Sequence, residues 1–217
     1  MSPLIDALSS NFLPMFLIGM VIDFKIAGIA LALGLSLGGP LALARFRGGA
    51  AGVGAGLIVG LMRAAPTFVV MFFLLNALPG SRLSGIAIVA VSLVPYAAAY
   101  VADSAVDALR QLRSGSPLAG LLILPNIARA FFVLVMSSSA GAAVGVPEGI
   151  AIILRQAEKM PSLGDMLALF AIGIACFGIP LQGGFAVVRL IQRRLARIAL
   201  RRREDMPAES TPSPAGE

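Results

Sequence analysis

Residues 24–44 read FKIAGIALALGLSLGGPLALA, an apolar run whose only charge, Lys25, sits at one edge. A helix of about twenty residues spans about 30 Å, the thickness of a bilayer's hydrocarbon core. Lipid offers a backbone no hydrogen-bond partners, so such a run predicts a transmembrane helix. The whole chain has the same character: 58% of it is hydrophobic, 13% is charged, and its mean hydropathy is +0.92. Soluble domains sit near roughly 45–50% apolar and roughly 25% charged. The fold class that follows is an all-α integral membrane protein.

Four further runs are candidate spans: around 62–79, 85–103, about 127–146, and 166–188, giving five in all. Residues 12–22, FLPMFLIGMVI, are too short to cross alone and read as a short interfacial helix leading into the first span. In 149–160, GIAIILRQAEKM, apolar residues recur at helical spacing opposite Arg155, Glu158 and Lys159, which predicts a surface helix. Pro95 and Pro180 are expected to loosen the third and fifth spans. Residues 1–203 read as one transmembrane domain. The remainder, EDMPAESTPSPAGE at 204–217, has the Pro/Ser/acidic composition of a disordered tail. The first apolar stretch has no basic flank and no small-residue cleavage site, so no removable signal peptide is expected.

The net charge of +6 and pI of about 10.7 would point a soluble chain towards nucleic acid. Here seven of the 17 basic residues crowd between Arg189 and Arg203, directly after the last span. That is an inside-anchoring pattern, and with no interleaved aromatics or binding motif a nucleic-acid partner is excluded. With five spans and an outside N-terminus, Arg45 and Arg47, then Arg110 and Arg113, then the arginine-rich C-terminus fall on the cytoplasmic side. Only Arg82, Arg155 and Lys159 stay outside. The stretch RQLRSGSPLAGLLILPN, 110–126, is therefore expected to be a cytoplasmic loop.

Membrane-enzyme chemistry finds little support. The chain has no histidine, the commonest general base and transition-metal ligand. Gly34 to Gly38, GLSLG, matches a nucleophile elbow literally but lies mid-span and lacks a histidine partner. Its small residues, like Gly52, Gly56 and Gly60, read as faces for close helix packing. Neither lysine is preceded by the glycines of a phosphate-binding loop. Cys176 is the single cysteine and reads as a buried hydrophobe. No catalytic residue, metal ligand or cofactor is expected in this chain.

Several stretches, in order over roughly residues 12–200, resemble the polar amino-acid permeases of ABC importers, the group of the histidine and glutamine permeases. LGLSLGGPLALARF is similar to that family's first span with its basic exit, and LMRAAPTFVVMFFLLNALPG to its Arg-Gly-Thr-Pro segment, keeping Arg63 and Pro66 but carrying Ala64 and Ala65 between them. VSLVPYAAAYVAD resembles the third span, ILPNIARAF the Leu-Pro that closes the cytoplasmic coupling loop, and GVPEGIAIILRQAE the Gly-Val-Pro-Glu segment and the external helix after it.

The resemblance implies the type I importer fold and a set of partners. ABC ATPase subunits would carry ATP and magnesium, a second permease subunit would share the path, and an extracytoplasmic substrate-binding protein would deliver a polar amino acid, opine or related small zwitterion. It implies a bacterial cytoplasmic (inner) membrane, in contact with membrane lipids. A coupling segment at about 104–125 would dock on the ATPase through Asp107, Arg110, Arg113, Ser114, Gly115, Leu124 and Pro125. The binding protein would touch the outer loops around 79–84 and 145–159, with Pro147, Glu148 and Arg155 as contacts. Polar groups within spans normally face protein or a watery cavity. The path candidates are therefore Arg63, Thr67, Ser92, Tyr96, Tyr100, Asp103, Ser137, Ser138 and Ser139.

Each has a plainer alternative: Arg63 as a headgroup anchor, Asp103 as a cap or ion-pair partner, the tyrosines as core aromatics, the serines as hydroxyls bonded to the preceding turn, and Arg110 and Arg113 as inside anchors. The chain also departs from the family. Its coupling loop lacks the acidic start of the Glu-Ala-Ala motif and is about ten residues short, Val106 replaces an arginine, and Met136 to Ser139 replace Lys-Asp-Thr-Ser, removing an intramembrane charge pair. A heterodimer with a partner carrying the complete loop accommodates these losses. A transport-silent scaffold derived from the same fold, and a free-standing channel, are the alternatives.

Overall fold

The computed structural model describes residues 11–77, 83–115, 120 and 123–204, the last six of them by backbone alone. Helix α1 is Phe12–Arg47, α2 Gly49–Ala64, α3 Thr67–Ala77, α4 Gly85–Arg113, α5 Ile123–Ser137, α6 Gly149–Ala157 and α7 Leu163–Glu204; a 3₁₀ segment, Ser138–Val144, continues α5. Among the described residues four helices are long and apolar enough to cross a membrane, with α5 and its 3₁₀ extension counted as one. The α2–α3 pair, bent by 90°, makes a fifth if it is one broken span. The chain is a multi-pass, all-helical membrane protein.

Helix α1 is continuous from Phe12, so no separate interfacial helix precedes the first span. Phe12, Phe16 and Met20, expected to lie in the headgroup layer, are buried against the rest of the protein. What holds them is α6: a methyl group placed on Gly19 would lie 2.8 Å from the Gly149 nitrogen. Thirty-six residues make a rod of about 54 Å, longer than a bilayer core, and α6 docks on its first turns.

The largest helix–helix contact is α1 against α4. The expectation for GLSLG holds here: a methyl on Gly34 would fall 2.5 Å from Ala97 Cβ, and one on Gly38 2.6 Å from the Ala98 carbonyl oxygen. The same seam buries Ala27, Ala30, Ala97 and Ala98, so the backbones approach closely and dispersion contacts replace the hydrophobic drive that lipid cannot supply. For Gly56 and Gly60 the packing expectation fails within this subunit, because nothing lies within 4 Å of a methyl on either; of that trio only Gly52 is approached, by the Ala44 carbonyl.

Gly48 and Gly49, both with positive φ, turn the chain from α1 into α2. That helix crosses the α1–α4 pair, where Val59 packs with Ala42, Ala99, Ala102 and Val106. The second span expected over 62–79 is thus broken: α2 ends at Ala64, Ala65 is extended, and α3 starts after Pro66. A residue before proline is pushed out of the helical region, which places the bend. Helices α4 and α7 run unbroken through Pro95 and Pro180. The tail beyond Glu204 lies outside the described residues, and residue 204 itself closes α7.

Filling the α1–α4 seam is expected to destabilise. Gly34→Leu should cost about 1–3 kcal/mol through overpacking. Gly28→Ala, with nothing within 4 Å, should be neutral or stabilising by up to about 1 kcal/mol. Thermal unfolding of both variants in detergent checks this.

Candidate functional site

Three of the expected path residues meet. Thr67 opens α3 just past the bend, Ser137 ends α5, and Ser139 lies in the 3₁₀ segment; with Phe68 and Ala140 they line an open cleft of about 310 Å³. The serine run shapes this corner. Ser138 Oγ donates to the Val135 carbonyl at 2.7 Å and Ser139 Oγ to Met136 at 2.8 Å. Hydroxyls bonded three residues back favour the tighter 3₁₀ winding that starts there.

Arg63 and Asp103 also come together, as an ion pair rather than as free path groups. Arg45 completes the cluster, its Nη1 lying 2.6 Å from Asp103 Oδ1 while Arg63 holds Oδ2. The ends of α1 and α2 are thereby tied to the flank of α4. Ser92 is corrected as a path residue: it is buried and donates to the Val89 carbonyl at 2.7 Å. Tyr96 and Tyr100 are half-buried on one side of α4, ring centres 6.1 Å apart.

The coupling segment begins later than expected. Helix α4 continues to Arg113, so residues 104–113 are helical, and Asp107, Arg110 and Arg113 project from its last turns into solvent. Ser114 closes the helix, its Oγ donating to the Gln111 carbonyl, and Gly115 leaves it with a φ of +87°. Arginines suit a helix C-terminus because its free carbonyls carry partial negative charge. Leu124 and Pro125 form the first turn of α5, half-buried. Residues 116–119 and 121–122 lie outside the described residues, as do 79–82 of the outer loop.

At the opposite end Pro147 and Arg155 are exposed, as a docking contact requires, but Glu148 is fully buried. Its carboxylate caps α6 instead, accepting from the Ile150 and Ala151 nitrogens at 2.7 Å each. Ser138 is likewise corrected: it is fully buried, its Oγ 2.5 Å from Asp23 Oδ1, so that its one proton is shared between that oxygen and the Val135 carbonyl, while the Gly149 nitrogen donates to Oδ2 at 3.0 Å. So although the serine run itself is neutral, a carboxylate from α1 sits against it. Burial, and then the neighbouring Asp23 carboxylate, push Glu148 up to about 7.

Asp23 is the residue that sequence reasoning missed. The signal was present, since an acidic residue between two apolar runs is a functional candidate by default. Dividing α1 at residue 22 placed Asp23 in the headgroup layer and hid it.

No family model and no curated protein matches the sequence. Solved structures do. One is described as an amino acid ABC transporter with histidines, matching at a TM-score of 0.66 and 21% identity over 85% of this chain and 95% of that one. A second is the inward-facing MetNI methionine ABC transporter, at a TM-score of 0.60 and 16% identity over 84% and 99%. The fold is that of ABC-transporter membrane subunits. The ion-pair cluster and the hydroxyl cleft sit within it.

Because the cluster is partly exposed, its pairs should be weak. Arg45→Ala, removing the better-shielded partner, is expected to cost about 1 kcal/mol and Arg63→Ala less. Both losses should shrink in high salt, as denaturation at two ionic strengths would show.

Proposed function

We propose that this chain is the membrane subunit of an ABC importer for a polar amino acid or a related small zwitterion. The observation that carries the reading is the meeting of Thr67, Ser137 and Ser139 in one open cleft, on a fold similar to amino acid and methionine ABC transporters. Hydroxyls suit a dipolar ligand because each donates to a carboxylate or accepts from an ammonium group without holding a charge at membrane depth.

The cleft is open, and a second permease subunit, different from this chain, closes it. ATPase subunits, which hold ATP and magnesium, meet the end of α4 at Asp107, Arg110 and Arg113 with Ser114, Gly115, Leu124 and Pro125. A rigid helix reaching from Gly85 to that contact carries a push on it into the membrane as helix motion. A binding protein meets Pro147 and Arg155 on the opposite face. The membrane is a bacterial inner membrane, with the N-terminus outside and the arginine-rich end of α7 in the cytoplasm, as the basic residues favour.

The experiment is reconstitution of whatever complex co-purifies with the tagged chain, with ATP hydrolysis measured as loaded binding protein is added. An importer subunit gives stimulated hydrolysis and uptake, and Ser139→Leu together with Thr67→Leu lowers uptake by roughly tenfold or more while the complex still assembles. Hydrolysis that stays flat, with a complex intact, overturns the reading in favour of a transport-silent scaffold.

A further inference from the structure

We propose that Asp23 and Glu148 form a pH-sensitive latch that holds α6 against α1 while a proton is shared between the two carboxyls and loosens it when both are ionised. The latch is independent of the transport reading, since its test needs no partner.

The geometry forces the question of charge. Glu148 is fully buried, and Asp23 is 1% exposed. Their donors are all neutral: the Ser138 hydroxyl and the backbone nitrogens of Gly149, Ile150 and Ala151. Among the described residues no cation faces them from any packed element. On α1, Lys25 is exposed; on α6, Arg155, Glu158 and Lys159 are exposed on the other side. The 3₁₀ segment carries no titratable group, and on α5 Arg129 is exposed. On α7, Asp165 is engaged by Ser162 and Cys176 packs in the core. Helix α4 presents Val89 near this corner, its own charged residues lying towards the far end.

Two buried carboxylates without a cation do not both ionise cheaply. The N-terminus of α6 offers partial positive charge for one of them. The upward push on Glu148, to about 7, puts release of the proton in the neutral range. Because that value lies above the ordinary one, the associated stability is present at acid pH and is lost as pH rises through about 7.

The seam is tight where α6 starts. A methyl on Gly149 would lie 2.7 Å from Phe177 and 3.0 Å from Asp23 Oδ2, and Gly19 presses on the same turn. A cavity of about 230 Å³, walled by Ile150, Ile153 and Phe177, reaches Asp23, so the carboxyl is not sealed on every side.

The test follows thermal unfolding of the full chain in mild detergent from about pH 5.5 to about pH 8.5. The wild-type midpoint should fall by roughly 5 °C or more. Glu148→Gln should remove most of the fall, Asp23→Asn should shrink it, and the exposed Glu158→Gln should leave it. The infrared band of a protonated carboxyl should be present at acid pH, vanish as pH rises, and be missing in Glu148→Gln. Amide exchange in α6, corrected for its intrinsic pH dependence, should accelerate over the same range in the wild type alone. A slope that survives both neutral variants, absence of the band at acid pH, or an α6 that stays protected throughout overturns the latch. Where one variant does not fold, the other variant and the band decide.

Discussion

The contact between α1 and α4 is possible only because glycine and alanine face each other along it. In lipid, leucine against leucine gains little over leucine against an acyl chain, so helices are held by how closely their backbones pack. Gly34 against Ala97 and Gly38 against Ala98 set that distance. They also set direction: residue numbers rise together along the seam, so the two helices run parallel and their basic ends, Arg45 and Arg47 with Arg110 and Arg113, gather at one end. Everything else is positioned from this pair. Helix α2 crosses it, α3 packs on α4, and α6 rests on the first turns of α1.

A long central helix with an apolar middle leaves its charges at the two ends, and the ends solve the electrostatic problem differently. At one, Asp103 stands between Arg45 and Arg63, partly exposed, so water screens whatever the three charges leave over. At the other, Asp23 meets Glu148, both buried and with no cation beside them among the described residues, so protonation and backbone donors carry the burden. The first arrangement responds to salt. The second is where the proposed latch responds to pH.

What was legible in the sequence follows the same physics. Apolar length is a property of the chain itself, so the all-helical class and four of the five expected spans were readable. Close packing at Gly34 and Gly38 was readable as well, but the same spacing at Gly56 and Gly60 finds no neighbour in this subunit, because small residues show that a helix can be approached and not what approaches it. The break at Ala65 was hidden by hydropathy that continues across it, although Pro66 marked the place. The path candidates divide by burial: Ser92 and Ser138 are enclosed within the subunit, whereas Thr67, Ser137 and Ser139 open onto a cleft, and no feature of a lone serine in an apolar run distinguishes the two fates. Glu148 looked outward because glutamate in a polar loop usually does; its role as a cap depends on α6 starting at the next residue.

Burial is distributed unevenly in a way that bears on how the cleft is used. Helix α4 is enclosed on most sides, while α7 and the α2–α3 elbow show most of their apolar side chains. For α7 an acyl chain is an adequate neighbour. Around the cleft it is not, because hydroxyls at membrane depth need polar company that lipid lacks. Phe68 lines the cleft beside Thr67, and Val69, Phe72 and Phe73 are exposed further along α3, so apolar surface adjoins a polar opening. A surface of that kind is satisfied by a second protein wall that seals against the apolar part and leaves water, or a dipolar solute, in contact with the hydroxyls. The open side of the cleft is thus the side on which the proposed path is completed.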